Sequence, residues 1–142
     1  MKVAIGCDHA GHELKDFIVI ELNKMGIEVR DHGTNGSESV DYPDFGHAVC
    51  NDVEGKQVDF GILICGTANG MAMTANKHKD IRCGLCWLPE IAALTKQHNN
   101  ANVIALPARF ISPQEGWNIT KAYMEAKYEG GRHQRRIDKI PC

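Results

Sequence analysis

The chain is poor in the features that would take it to a membrane or to nucleic acid. No apolar run approaches the roughly 20 residues needed to cross a bilayer. Aromatic residues are only 6% of the 142, and 16 Lys and Arg against 18 Asp and Glu leave a formal net charge of −2. Such a chain has neither the general positive field that gathers a polyanion nor the ring surface on which bases stack. Neither a membrane nor a nucleic acid is therefore expected as a partner. The opening "MKVAIGCDHAGHELK" has no long apolar segment followed by a small-residue cleavage site, which makes the cytoplasm the expected compartment.

Metal and disulfide motifs are equally scarce. The six cysteines stand at 7, 50, 65, 83, 86 and 142. A chain of this length, 43% hydrophobic, can bury a core without a disulfide framework, so reduced thiols are expected. Cys83 and Cys86 form the one C-x-x-C, inside "IRCGLCW". That segment reads as a buried strand, where a spacing of three sends side chains to opposite faces. Without a second pair, no metal or other cofactor is expected.

What the chain does have is a regular alternation of short apolar runs with helical patterns. "KVAIG" (2–6), "IEVRDHG" (27–33), "DFGILIC" (59–65), "IRCGLCW" (81–87) and "NVIAL" (102–106) read as strands. The third is apolar on both faces, as in parallel strands covered by helices. Leu14, Phe17, Ile18, Leu22 and Met25 recur at helical spacing before Gly26. Pro43 opens a second helix that Gly55 closes, and further helices start after Cys65, after Pro89 and at "SPQE" (112–115), a capping box. The pattern βαβαβαβαβα predicts one α/β domain over 1–142, a Rossmann-like three-layer sandwich around a five-stranded parallel sheet. A helical, basic segment follows from about 130. No repeat, low-complexity stretch or linker interrupts it.

Ligands in such a sheet bind beyond the carboxyl ends of the strands, where strand order reverses. For the common order 2-1-3-4-5 that point lies between the first and third strands. Their ends carry "GCDHAG" (6–11) and "CGTANG" (65–70), so Asp8, His9, Cys65 and Thr67 are expected in one cleft. Gly66 and Gly70 allow close backbone approach, and a helix opening near Thr67–Met71 offers free N–H groups and the positive end of a dipole. That setting also favours a thiolate. A phosphatase loop is excluded because Met71 stands where C-x5-R requires arginine, and "GTANGMAMTANK" does not match a nucleotide-binding P-loop. A thiolate base beside an oxyanion site remains. The plainer readings are a small core hydrophobe at Cys65, a helix cap at Asp8, a solvated His9 and a packed ring at Tyr42.

Two further segments need a place. His98 and Asn99 in "TKQHNNANVIAL" precede the fifth strand, at the amino end of the sheet and far from Cys65 within one subunit. Either they cap a helix, or they project into a neighbouring subunit's cleft; we expect the second, in an obligate homodimer. In "GGRHQRR" (130–136), Arg132 and Arg136 stand four apart and would share a helical face suited to a phosphate monoester.

Together "GCDHAG", "DYPDF", "ILICGTANGMAMTANK", "QHNNANVIAL" and "YEGGRHQRR" resemble the ribose-5-phosphate isomerase type B family, which includes the galactose-6-phosphate isomerase subunits. The resemblance runs from Met1 to about Arg136. It implies a metal-free aldose–ketose isomerase that opens the furanose and moves a proton between C1 and C2 through a cis-enediolate. It implies that Cys65 is the base, and that Thr67 and the amides from Gly66 to Gly70 hold the enediolate oxygen. By the same resemblance His98 opens the ring, Asp8 and Tyr42 surround the sugar hydroxyls, and Asn99 supports them. His9, Arg109, Arg132 and Arg136 take the phosphate, in a homodimer or tetramer with shared sites. Some members use a carboxylate in place of the cysteine.

The chain departs from the family's usual C-G-[ST]-G-x-G at Ala68 and Asn69. If position 68 needs positive φ, alanine is strained there by about 1 kcal/mol or more. A hexose-6-phosphate isomerase acting on allose or galactose phosphates is the alternative within the family. A non-catalytic sugar-phosphate-binding module is the alternative outside it, and would lose nothing when Cys65 is replaced.

Overall fold

The computed structural model describes residues 1–142. Along the chain lie β1 (Lys2–Cys7), α1 (His12–Lys24), β2 (Glu28–Asp31), α2 (Tyr42–Glu54), β3 (Phe60–Cys65) and α3 (Asn69–Ala75). They are followed by β4 (Cys83–Leu85), α4 (Pro89–Asn99), β5 (Val103–Pro107), α5 (Pro113–Glu125) and α6 (Arg132–Ile137). All neighbouring strands are parallel.

The sheet order is β2-β1-β3-β5-β4, which corrects the expected 2-1-3-4-5 at its last two places. Burial explains the exchange. Every residue of β5, "VIALP", is buried, whereas the three residues of β4 are only half-buried. A continuous apolar strand gains most between two neighbours, and a short one is best tolerated at an edge. The same effect trims the expected strand 81–87 to three residues and β2 to four. The adjacency of β1 and β3, on which the expected cleft depends, is present with Cys7 opposite Ile64.

Alternation along the strands divides the core in two. Val3, Ile5, Ile62, Ile64, Ile104 and Leu106 face α1, α4 and α5, meeting Leu14, Ile18, Ala92 and Ile119. Ala4, Leu63, Cys65, Val103 and Ala105 face α2 and α3, meeting Val49, Val53, Met71 and Ala75. This is a three-layer sandwich. Cys86 belongs to the first cluster and Cys83 packs against the second, so the C-x-x-C is split across the sheet.

Local signals appear where the sequence places them. Ser112 Oγ accepts from Glu115 N (3.1 Å) while the Glu115 carboxylate accepts from Ser112 N (2.6 Å), completing the capping box of α5. Gly26, at φ +73°, ends the turn after α1. One feature is contrary to hydropathy: Lys15 in α1 is fully buried, and its Nζ donates to Asp31 (2.6 Å) and Asn35 (2.9 Å) and pairs with Asp16 (3.0 Å). Burial pulls its pKa down, but the two carboxylates outweigh burial and leave it raised. The latch fastens the segment after β2 onto α1.

Candidate active site

The carboxyl ends of β1 and β3 are tied together by Asp8 N donating to Ile64 O (3.1 Å). Asp8 is nearly buried, and its Oδ1 accepts from Ala10 N (2.9 Å). A Cβ on Gly11 would stand 2.6 Å from Ile64 Cγ2, so glycine is what lets "GCDHAG" lie against the end of β3. His9 follows, with its Nδ1 buried and without a partner.

Cys65 ends β3 at 4% exposure, and its carbonyl accepts from Ala108 N (2.9 Å). In the loop beyond it, the N–H groups of Gly66, Thr67, Ala68 and Gly70 find no acceptor in the chain, while Thr67 Oγ1 takes the N–H of Asn69 (3.3 Å). The loop achieves this by turning left-handed at Ala68, φ +65° and ψ −13°. The positive φ that alanine tolerates poorly is therefore adopted here, at a cost of about 1 kcal/mol.

Two more expected residues reach this loop. A Cβ on Gly70 would lie 2.6 Å from Tyr42 Cζ, and one on Gly66 would lie 3.2 Å from Arg109 Cδ. Both side chains thus rest on the loop where glycine leaves room. Tyr42 is the first residue of α2, and Arg109 is held by its N–H donating to Gly66 O (3.1 Å). Asp8, His9, Tyr42, Cys65, Gly66, Thr67, Gly70 and Arg109 all belong to this end of the sheet.

Burial keeps four of the other thiols in their protonated form. Desolvation pushes Cys7, Cys50 and Cys86 up to about 12 and Cys83 well above its usual value. Cys7, adjacent to Asp8, points into the fold and donates to Thr34 O (3.4 Å). It is a core residue of β1.

His98 and Asn99 end α4, just before β5 begins at Val103. Val103 pairs with Gly61 and Pro107 with Cys65, so the four strand steps between the two edges amount to roughly 13 Å. Arg136 joins His98 and Asn99 around a cavity of about 350 Å³, whose wall includes His133 and Ile137. Arg132 opens α6 and is exposed after Gly130 and Gly131, at φ +67° and +58°. The chain thus carries two groups of expected residues, one at each end of the sheet.

A larger cavity of about 620 Å³ flanks the Cys65 loop on its β5 side, lined by Thr67, Asn69, Trp87, Leu88, Phe110 and Glu115 among others. Cys65 and Asp8 do not line it. Sequence reasoning passed over Glu129 and His133, which stand beside His98. The imidazoles of His98 and His133 stack with centroids 4.4 Å apart, and Glu129 Oε2 lies 3.5 Å from His133 Nε2. Their spacing of four across the Gly-Gly turn was the signal available.

Comparison with known proteins places the chain among the isomerases. Residues 3–140 match the family described as Ribose/Galactose Isomerase, and the chain belongs to that family. It is 46% identical over 139 residues to ribose-5-phosphate isomerase B of Escherichia coli K12, covering 98% of this chain and 93% of that protein. A solved ribose 5-phosphate isomerase of Thermotoga maritima superposes with a TM-score of 0.96 at 46% identity, covering 98% of this chain and 96% of that one. Ribose-5-phosphate isomerase B of Mycoplasma genitalium, solved with bound ribulose-5-phosphate, superposes with a TM-score of 0.93 at 43% identity, covering 98% and 93%.

Proposed function

We propose that the chain interconverts D-ribose 5-phosphate and D-ribulose 5-phosphate through a cis-enediolate, with Cys65 as the base. The observation that carries the reading is the loop after Cys65, where a thiol at the strand end precedes four N–H groups without acceptors. A carbon acid beside a carbonyl needs both a base and donors for the oxygen that becomes negative. The Cys65 thiolate takes the C2 proton and returns it to C1, while the hydroxyl proton passes from O2 to O1. The free amides from Gly66 to Gly70, with Thr67, hold the oxygen during the exchange.

Before that step the furanose must open. His98 removes the proton from the anomeric hydroxyl, the bond from C1 to the ring oxygen breaks, and that oxygen gains a proton. Asp8 and Tyr42 bind the sugar hydroxyls, with Asn99 in support. The phosphate is taken by Arg109, Arg132, Arg136 and His9. An unpaired buried nitrogen such as His9 Nδ1 costs about 1–3 kcal/mol, which a ligand oxygen recovers.

The roughly 13 Å of strand between Cys65 and the His98 end supports an assembly in which each site is built from two subunits. A homodimer places His98, Asn99, Arg132 and Arg136 of one protomer over the Cys65 loop of its partner. Exposed Trp87, Leu88 and Phe110 around the larger cavity are the kind of apolar surface that association covers. A cytoplasmic setting suits a thiol that must stay reduced, and no helix is long and apolar enough to cross a membrane.

The test is incubation with ribose 5-phosphate in D2O, following the C2 proton by NMR, with Cys65→Ala alongside. Exchange and ribulose 5-phosphate formation by the wild type alone are expected. Turnover retained by Cys65→Ala would remove the thiol from the mechanism. Turnover of allose or galactose 6-phosphate in place of the pentose would overturn the substrate assignment.

A further inference from the structure

We propose that His98, Glu129 and His133 form a binding site for a divalent ion of the zinc type, and that an ion held there inhibits the enzyme by occupying His98. The inhibitory half rests on the ring-opening role given to His98 above; the binding half does not.

Three donors from two segments converge at the end of α4. Each offers one ligand atom, and these atoms lie within 4.8 Å of one another. Glu129 Oε2 is 3.5 Å from His133 Nε2 and 3.8 Å from His98 Nε2. In a tetrahedral site with bonds of about 2.0–2.1 Å, neighbouring donors stand about 3.4 Å apart. Two of the three separations are therefore within a few tenths of an ångström of the requirement. At these distances the carboxylate forms an ion pair with either ring only when that ring is protonated. With the rings neutral, the three donors stand close without being used by one another.

The backbone holds them there. Glu129 N donates to Gln97 O (3.0 Å), fastening the turn to the last residues of α4, and His133 N donates to Gly130 O (3.2 Å). The His133 side chain is 8% exposed and is the fixed ligand, whereas those of His98 and Glu129 are 39% and 50% exposed and free to adjust. The imidazole planes differ by only 16°, so their lone pairs run side by side, and sharing an ion requires the His98 ring to swing. The neighbouring cavity leaves a fourth position open.

The donor set selects the ion. Two neutral imidazoles and one carboxylate suit zinc, cobalt or nickel, while calcium and magnesium require more oxygen ligands. Arg136 on the same cavity adds to that bias, because its charge opposes any cation not held by strong nitrogen bonds. An ion seated on His98 takes the lone pair with which that ring would accept the anomeric proton.

The experiment is titration of the full-length protein with Co2+, read by its visible d–d absorption, followed by displacement with Zn2+ and by activity assays with and without EDTA. One Co2+ per chain is expected, with a spectrum of nitrogen and oxygen ligands and no near-ultraviolet thiolate-to-cobalt band. Glu129→Gln, at an exposed position, should weaken binding by about tenfold or more while turnover persists. His133→Gln should do the same if it folds. Zn2+ should inhibit the wild type reversibly and spare Glu129→Gln. A thiolate band, or equal affinity in Glu129→Gln, overturns the site. Binding with the expected spectrum but without inhibition overturns the inhibitory half and with it the role of His98, leaving the site standing.

Discussion

The proposed sharing of the site between subunits has a quantitative consequence when two inactive variants are combined. Take Cys65→Ala and His98→Asn, which lie at opposite ends of the sheet, separated along β3 and β5 by the four strand steps from Gly61 to Cys65. Each pure homodimer carries its lesion in both sites. In a mixed dimer one site receives both substitutions together, and the other receives Cys65 from one chain and His98 from its partner, with no lesion at all. Random reassortment makes half of the dimers mixed, each with one good site of two, so the pool recovers about a quarter of wild-type activity. The assay is ribulose 5-phosphate formation after co-expression with two different affinity tags and purification through both, which enriches the hybrid and raises recovery to about half. Native mass spectrometry confirms that the hybrid is present. A verified hybrid as inactive as its parents would place Cys65 and His98 in the same subunit's site and refute the reasoning, as would an active monomer.

Three other perturbations test the site and the core. Gly70→Ala drives a methyl to 2.6 Å from Tyr42 Cζ; since Tyr42 is 39% exposed, its ring should swing out, raising KM with little change in Tm, and an unchanged KM would remove Tyr42 from the sugar. Ala68→Gly relieves about 1 kcal/mol of left-handed strain but gives up about 0.8 kcal/mol of methyl burial and about 0.4–1 kcal/mol through the freer unfolded chain. Urea unfolding should therefore shift by less than about 1 kcal/mol, and a loss of about 1.2–1.8 kcal/mol would show that the alanine is not strained. Cys50 holds its thiol proton to about 12 in the fold against 9.0 when free, so the unfolded chain releases that proton first. Its contribution is whole below about pH 9 and is lost as pH rises toward 12. Cys50→Ala should reduce the slope of stability against pH in that window by up to about 1.4 kcal/mol per unit, and parallel slopes would count against the buried thiol.

Much of this protein is local information. The alternation of apolar runs with helical spacing announced the parallel sheet, and "SPQE" announced the start of α5 through a capping box closed within four residues. Cys65 at the end of an all-apolar strand, with glycines at 66 and 70, announced a thiol at the carboxyl edge of the sheet, because strand direction needs no knowledge of the remaining fold. Arg132 and Arg136 of "GGRHQRR" were likewise placed on a helix by the glycines before them.

The rest depended on contacts that periodicity does not encode. β5 and β4 exchanged places because complete burial of "VIALP" outweighs chain order, which only the competition of all five strands for the centre decides. Lys15 entered the interior because Asp31, Asp16 and Asn35 met its ammonium there, although hydropathy places a lysine outside. Ala68 accepted φ +65° because the turn between a fixed strand end and α3 demanded it. His98, Glu129 and His133 became neighbours only when the Gly-Gly turn docked onto the end of α4. Sequence determines what each segment prefers; the tertiary structure decides which preferences yield where segments compete for the same space, charge or hydrogen-bond partner.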